Sequence, residues 1–139
     1  MPQQHEAPRG LVPHLVVDGA AAAIDFYKKA FGAEELMRMP HDDGKRLMHA
    51  HLMIGESHLM LADDFPEYCG GKPHSPKALG ATPVVIHQTV ANCDAAIKRC
   101  TDAGAKATMP AQDMFWGDRY GQVTDPFGHV WSFSTPLKK

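Results

Sequence analysis

The feature that most constrains the fold of this chain is an internal repeat that spans about half its 139 residues. A histidine near the start of each half begins a short strand-like segment, which is followed by an Ala-rich stretch and a glycine. The same offset of 73 residues separates His14 from His87, Val17 from Val90, and the segment 22–24 from 95–97, and Gly32 matches Gly104 after a one-residue slip. We therefore predict two copies of one unit, with the two histidines near a pseudo-twofold axis, where a small ligand can bind.

Composition excludes several classes of partner. The chain has 14 basic and 16 acidic residues and no basic run that would follow a phosphate backbone, so we do not expect it to bind nucleic acid. No apolar stretch approaches the roughly twenty residues of a membrane span, and the first residues lack a secretory pattern, so we expect a cytoplasmic protein without membrane contact. The three cysteines have no CxxC spacing and are expected to be reduced.

The first unit is predicted to run strand, helix, strands. A strand over 11–17 ends at Asp18-Gly19, and apolar residues at helical spacing predict a helix over 20–31 that ends at Gly32. Two or three strands follow, with segments 46–54 and 58–62 joined by a short turn.

The second unit repeats this plan. It is predicted to contain a helix from about 93 to 103 and final strands over 118–124 and 129–135 around the turn Asp125-Pro126-Phe127-Gly128. The predicted organisation is a flexible tail over 1–10, module one over about 11–63, a linker or lid over about 64–82, and module two over about 83–136, with 11–136 forming a single domain.

Alternation along the strands separates two faces of each sheet, because successive side chains point to opposite sides. One face is apolar and is predicted to pack under the helices: Leu11, Leu15, Val17, Val84, Ile86, Val90, Trp131 and Phe133. The other face is mixed and is predicted to form a pocket wall: Val12, His14, Val16, Val85, His87, Thr89, Val130, Ser132 and Ser134.

Three further segments carry a specific resemblance. They are Ile24-Asp25-Phe26-Tyr27-Lys28-Lys29-Ala30-Phe31-Gly32-Ala33, Met48-His49-Ala50, and the stretch from Met114-Phe115-Trp116-Gly117 through Asp125-Pro126-Phe127-Gly128 to Trp131. Together they resemble the vicinal-oxygen-chelate superfamily (glyoxalases, bleomycin-resistance proteins and dioxygenases), and in particular its PhnB-like branch, over about 11–136. The resemblance implies an α+β fold of two tandem βαβββ modules, a cupped mixed sheet with helices on its outer face, and a homodimer.

The resemblance also implies where a metal would bind. Enzymes of the superfamily hold a divalent metal through His, Gln or Glu at four strand positions, which fall here at Val12, about Met60, Val85 and Ser132. Valine has no donor atom, thioether sulfur suits soft metals, and a lone serine binds weakly. The usual metal ligands are therefore missing, and no cofactor is expected at these positions.

The paired histidines leave two alternatives open. His14 and His87 either contact a ligand as hydrogen-bonded pocket histidines, or they form a displaced divalent-metal or acid–base site that His58 could join. His49 and His51, which alternate on one strand, have a spacing that can hold a metal but also occurs without function. Asp63 is expected to be hydrated at a turn, where it caps backbone groups.

A second group of candidate ligand contacts lies near the end of the chain. Trp116, Arg119 and Tyr120 combine aromatic planes with a planar cation, although adjacent residues face opposite sides and cannot all reach one pocket. The predicted ligand-binding residues are thus His14, His87, Trp116, Arg119, Tyr120 and Ser132.

These observations support two functions. The first is a metal-independent protein that binds a small organic molecule, as bleomycin-resistance members of the superfamily do. The second is a lyase, isomerase or dioxygenase relative that uses a divalent metal displaced to His14, His87 and His58.

Overall fold

The computed structural model of the chain describes residues 7–138. Residues 1–6 of the predicted tail lie outside the described residues, and 7–10 contain no helix or strand. The elements are β1 (His14–Val17), α1 (Ala20–Phe31), β2 (Glu34–Pro40), β3 (Leu47–Ile54), β4 (Ser57–Asp63), a 3-10 helix (Pro66–Tyr68), α2 (Pro76–Leu79), β5 (Val85–Thr89), α3 (Cys93–Ala103), β6 (Lys106–Asp113), β7 (Asp118–Thr124) and β8 (Val130–Pro136).

Two four-stranded mixed sheets confirm the predicted fold of two βαβββ modules. Their strand orders are β1-β4-β3-β2 and β5-β8-β7-β6, so the first and last strands of each module are neighbours. These neighbours run parallel, and the remaining pairs run antiparallel. The segment between the modules, predicted as a linker or lid, contains the 3-10 helix and α2.

Local sequence explains the limits of the helices. Helix α1 spans the predicted residues and ends at Gly32, whose φ of 66° is the left-handed conformation that glycine adopts without strain. Its first turn is held by Asp63 at the end of β4, whose carboxylate accepts hydrogen bonds from the backbone N–H of Gly19 (2.7 Å) and Ala20 (2.9 Å). Asp63 is buried, so the expected hydration is wrong, although the expected capping of backbone groups is correct.

The core lies between the sheets and the two long helices, on the face that alternation assigned to it. Leu15, Trp131 and Phe133 are buried there as predicted. Leu11 and Val84 were assigned to the same face but are exposed, because β1 begins only at His14 and β5 at Val85. Sheet parity therefore does not determine the direction of their side chains.

Contacts between α1 and the second module join the two halves. The ring of Phe31 packs 4.5 Å from the ring of Trp131, centroid to centroid. The Nε of Arg99 on α3 donates to the carbonyl of Lys29 on α1, at 2.8 Å. His129 adds a link from the turn before β8 to the backbone of β1, because its Nε2 lies 2.9 Å from the carbonyl oxygen of Val16. The modules thus share one core.

No helix within residues 7–138 is long and apolar enough to span a membrane. Cys69, Cys93 and Cys100 are all free thiols, as predicted. Burial raises the pKa of Cys100 to about 12, so this thiol stays protonated at neutral pH.

Candidate functional site

The paired histidines line one cavity between the edge strands β1 and β5. This cavity has a volume of about 560 Å³, and its polar side chains are His14, His87, His129 and Thr82. The rest of its wall is apolar: Leu11, Val12, Pro13, Leu15, Val84, Val85 and Ile86. An apolar cleft with a few converging polar groups is the usual form of a site for a small organic ligand.

A second, smaller cavity of about 290 Å³ lies next to the first. Val12 and His87 belong to both cavities, and Arg9, His58 and Gln88 supply further polar groups to the smaller one. Because the two cavities share these wall residues, we describe them together as the β1–β5 cleft.

His87 is fixed in the cleft by the last strand. Its Nδ1 lies 2.8 Å from the hydroxyl of Ser132, and its Nε2 lies 3.0 Å from the hydroxyl of Ser134. Both serines are buried on β8, which pairs with β5 in parallel register. The two hydroxyls hold the imidazole in one orientation, and Ser132 acts on the cleft through His87.

Aromatic side chains continue from His87 across the same face of the second sheet. The ring of Tyr120 stacks on His87 with centroids 6.1 Å apart, and the ring of Trp116 meets Tyr120 edge-on at 5.7 Å. The phenol of Tyr120 accepts a hydrogen bond of 2.9 Å from the side-chain amide of Gln122. Trp116 is 51% exposed and could stack against a bound molecule.

Arg119 is not brought together with these residues. Its guanidinium donates to both carboxylate oxygens of Asp94 on α3 (2.7 and 3.0 Å) and to Asp113 on β6 (2.9 Å). These two carboxylates raise the pKa of Arg119 above its usual value. Because α3 covers the opposite face of the sheet, contact between Arg119 and a ligand stays a prediction without structural support.

Four histidines share the open face of the first sheet, which is the face turned away from α1. The rings of His14 and His49 stack with centroids 5.7 Å apart. Nε2 of His51 lies 2.7 Å from Nδ1 of His58. Burial, followed by the neighbouring His14, lowers the pKa of His49 and favours its neutral form. The sequence showed the alternation of His49 and His51, but only the strand register reveals that His49 meets His14 and that His51 meets His58.

The four positions at which the resemblance predicts metal ligands carry Val12, Met60, Val85 and Ser132. Val12 and Val85 offer no donor atom, Met60 offers only a thioether, and the hydroxyl of Ser132 is engaged by His87. Throughout the described range 7–138, no three His, Cys, Asp or Glu side chains are placed to hold one metal ion together. His58 is therefore not gathered with His14 and His87 into a three-ligand site.

Comparisons with known proteins agree with the fold. A family model for the glyoxalase/bleomycin resistance protein/dioxygenase superfamily matches residues 11–133. A protein from Mycobacterium bovis is 55% identical over 129 residues, which cover 93% of this chain and 84% of the relative. The crystal structure of TioX from Micromonospora sp. ML1 is similar with a TM-score of 0.70 and 30% identity, covering 94% of this chain and 100% of TioX. A PhnB protein from Bacillus cereus, at 15% identity, has the same fold with a TM-score of 0.66 over 91% of this chain and 99% of its own.

Proposed function

Because the chain belongs to the glyoxalase/bleomycin resistance protein/dioxygenase superfamily, we propose that it is a small-molecule-binding protein whose ligand occupies the β1–β5 cleft. The observation that carries the proposal is the cavity of about 560 Å³ that His14 and His87 both line among apolar side chains. Its volume lies within the range of about 300–1,000 Å³ typical of pockets for small organic molecules.

The groups around His87 support a binding role. The hydrogen bonds from Ser132 and Ser134 restrict the imidazole before any ligand arrives, so little side-chain entropy is lost on binding. Tyr120 and Trp116 extend an aromatic surface from His87, and this surface offers stacking contacts to a planar part of a ligand. In this proposal His14 and His87 contact the ligand directly, and Ser132 orients His87.

The proposed function does not use the superfamily's usual metal. The residues at its four positions do not supply a divalent ligand set, so no reaction step is derived through a metal. The alternative, a lyase, isomerase or dioxygenase with a metal displaced to His14, His87 and His58, lacks a supporting observation, because His58 bonds to His51 instead.

A homodimer is part of the proposal. Large apolar side chains are exposed close to the cleft and its aromatic surface, including Leu11 (102%), Val84 (61%) and Phe115 (97%). A second copy of the chain would cover such residues, and homodimers with twofold symmetry are the commonest soluble oligomers. Light scattering at micromolar concentration tests this part, and a monomeric mass would contradict it without affecting the fold. A cytoplasmic location also remains a prediction.

A thermal-shift screen of small organic compounds tests the binding function. A compound that binds only the folded protein adds about 2.7 kcal/mol at a hundredfold excess over its Kd, so hits raise the Tm. The hits should still raise the Tm when a metal chelator is present. The variant His87→Phe should weaken their binding more than His74→Phe, which alters an exposed linker histidine. The proposal is wrong if no compound raises the Tm, or if every hit requires an added divalent metal.

A further inference from the structure

The open face of the first sheet carries a row of alternating histidine and methionine side chains. His14 on β1 pairs in register with Met60 on β4, which pairs with His51 on β3, which pairs with Met37 on β2. Residues paired across neighbouring strands lie about 5 Å apart and point to the same face. We call these four residues the His–Met row, and it contains no carboxylate.

His58 joins the row at its centre. It lies on β4, two residues before Met60, and its Nδ1 is 2.7 Å from Nε2 of His51. With the ring centroids 4.9 Å apart, the two nitrogens face each other along the line that joins the rings. Two imidazole nitrogens are thus aimed at one point, and Met60 is paired in the strand register with His14 on one side and His51 on the other.

The strands of the first sheet fix the backbone positions of His51 and His58. His51 is 7% exposed and lies on the central strand β3, whose neighbours on both sides are hydrogen-bonded to it. His58 is half-buried on β4, which pairs with both β1 and β3. Both Cα positions are therefore set by the sheet, and only the outer atoms of the side chains need to move when an ion enters.

Ligand chemistry selects the type of ion. Thioether sulfur is a soft ligand that favours Cu(I), and imidazole also suits copper, whereas hard divalent ions prefer carboxylate and carbonyl oxygen. A set of imidazole and thioether groups without a carboxylate in the row therefore matches a soft monovalent ion better than Mg²⁺, Ca²⁺ or Mn²⁺. The head-on arrangement of His51 and His58 suits a metal with few ligands.

We propose that His51, His58 and Met60 form a binding site for one Cu(I) ion on the open face of the first sheet. The ion takes the place of the hydrogen bond between the two imidazoles, and the proton of that bond moves to the other nitrogen of its own ring or is released to solvent. Metal–imidazole bonds of about 2 Å require the two nitrogens to separate by about 1.3 Å, which a small rotation of the half-buried His58 ring provides. His14 and Met37 flank the site at either end of the His–Met row and add no carboxylate to its surroundings.

This site borders the proposed small-molecule site, because His58 also lines the smaller cavity of the β1–β5 cleft and His14 lines the larger one. Its three ligands do not include His87 or any other residue of the second sheet, and they differ from the ligand set of a divalent site at His14, His87 and His58. Either proposal can therefore fail while the other stands.

Competition with a chromogenic Cu(I) chelator, under anaerobic reducing conditions, tests the proposal on the full-length protein. The wild-type chain should remove about one Cu(I) per chain from the chelator, and the double variant His51→Gln/His58→Gln should bind at least about tenfold more weakly. His74→Gln, at an exposed linker histidine, is the matched control and should bind as the wild type does. Failure of the wild type to take Cu(I), or equal loss in the control, overturns the site.

Two further measurements keep the test decisive if the double variant folds poorly. Met60→Leu preserves apolar volume and should also weaken Cu(I) binding, whereas Met109→Leu, on β6 of the other sheet, should not. Titration with Ag⁺, a closed-shell stand-in for Cu(I), should shift the imidazole NMR signals of His51 and His58 before those of His87. A first response at His87, or loss of Cu(I) binding in His87→Gln with His51→Gln unaffected, would assign the metal to the β1–β5 cleft and refute the proposal.

Discussion

The phenol of Tyr27 on α1 donates a hydrogen bond of 2.5 Å to the carboxylate of Asp125, which lies in the turn before β8. The same carboxylate accepts hydrogen bonds from the indole N–H of Trp131 (2.9 Å) and from the backbone N–H groups of Phe127 (2.8 Å) and His129 (3.0 Å). Tyr27 and Asp125 are both buried, and the pair connects the first module to the second. The carboxylate of Asp125 thus fixes the turn before β8, orients the indole of Trp131 and joins the two modules through Tyr27.

Replacement of Asp125 should destabilise the protein more than replacement of Tyr27. Asp125→Ala leaves the Tyr27 hydroxyl and the Trp131 N–H buried without a partner, and each such group costs about 1–3 kcal/mol, so we expect a loss of about 3 kcal/mol or more. Tyr27→Phe leaves the carboxylate its other three donors and should cost about 1–2 kcal/mol. Urea unfolding measures both, and equal losses in the two variants would show that Asp125 is not the centre of the network.

Much of the fold, but less of the site, could be predicted from the sequence. Helix α1 was located to the residue because its apolar period and Gly32 are both local signals. Edge strands β2 and β6 were not located individually, because most of their side chains are exposed and show no clear alternation. Their positions depend on pairing with β3 and β7, which a linear sequence does not display.

For the site too, local patterns predicted some features, whereas contacts that depend on strand register were not predicted. Strand parity correctly placed His14 on the open face, and the 73-residue offset correctly paired it with His87 in one cavity. Parity within a single strand could not show that His14 stacks on His49, since that contact depends on the register of β1, β4 and β3. Nor could it show that Arg119 binds Asp94, because that contact depends on how α3 crosses the second sheet.

The phenol of Tyr27 should ionise only at a higher pH than an ordinary tyrosine. Burial, then the charge of Asp125 and the hydrogen bond to it, raise the pKa of Tyr27 well above its usual value of about 10. A group with a raised folded-state pKa stabilises the fold fully below its unfolded pKa, and the stabilisation is lost as pH rises through the folded pKa. The tyrosinate absorbance of the wild type should therefore include a step that coincides with alkaline unfolding, and Tyr27→Phe should lack it. A Tyr27 signal that titrates while the protein remains folded would contradict the buried placement.

Glu35 should contribute to stability at neutral pH but not in strong acid. Hydrogen bonds from Arg38, followed by Lys28, lower the pKa of Glu35 to about 2 from an ordinary value of 4.5. Its stabilisation is therefore present above about pH 4.5 and is lost as pH falls towards 2. Because Arg38 and Lys28 are partly exposed, solvent screening limits the effect to about 1 kcal/mol or less.

The variant Glu35→Gln isolates this effect. We expect it to be less stable than the wild type at pH 7, with a difference that shrinks towards pH 2, as measured by urea unfolding across the acid range. Glu56→Gln, in the exposed turn between β3 and β4, is the control and should follow the wild-type profile. A difference between Glu35→Gln and the wild type that persists unchanged at pH 2 would mean that packing, not charge, is responsible.

Arg46 should hold the linker between the modules against the first sheet. Its guanidinium pairs with Glu67 (2.6 Å) and Asp43 (2.7 Å) and lies 4.2 Å from the ring centroid of Phe65. Arg46→Ala removes these contacts together, so hydrogen exchange in 64–72 should accelerate, while global stability changes little because surface ion pairs contribute weakly. Lys98→Ala, which breaks the exposed pair with Asp102 on α3, is the matched control and should leave exchange in this segment unchanged.

Gly121 should be intolerant of any side chain because α3 crosses β7 at this point. A Cβ atom there would lie 2.5 Å from Cδ1 of Ile97 on α3 and 2.9 Å from the backbone oxygen of Met109 on β6. Ile97 is buried and cannot move far, and the backbone oxygen is fixed by its sheet, so Gly121→Ala should destabilise the protein by about 1–3 kcal/mol.

A double-mutant cycle with Ile97→Val separates the two close contacts. Ile97→Val removes Cδ1, so Gly121→Ala should cost less in this background than in the wild type, and the remaining cost reports the contact with Met109. Gly55→Ala, where a Cβ would meet nothing within 4 Å but φ is +60°, serves as a control for backbone strain alone. If the cost of Gly121→Ala is the same in both backgrounds, the glycine is required by the approach of β6 and not by the packing of α3.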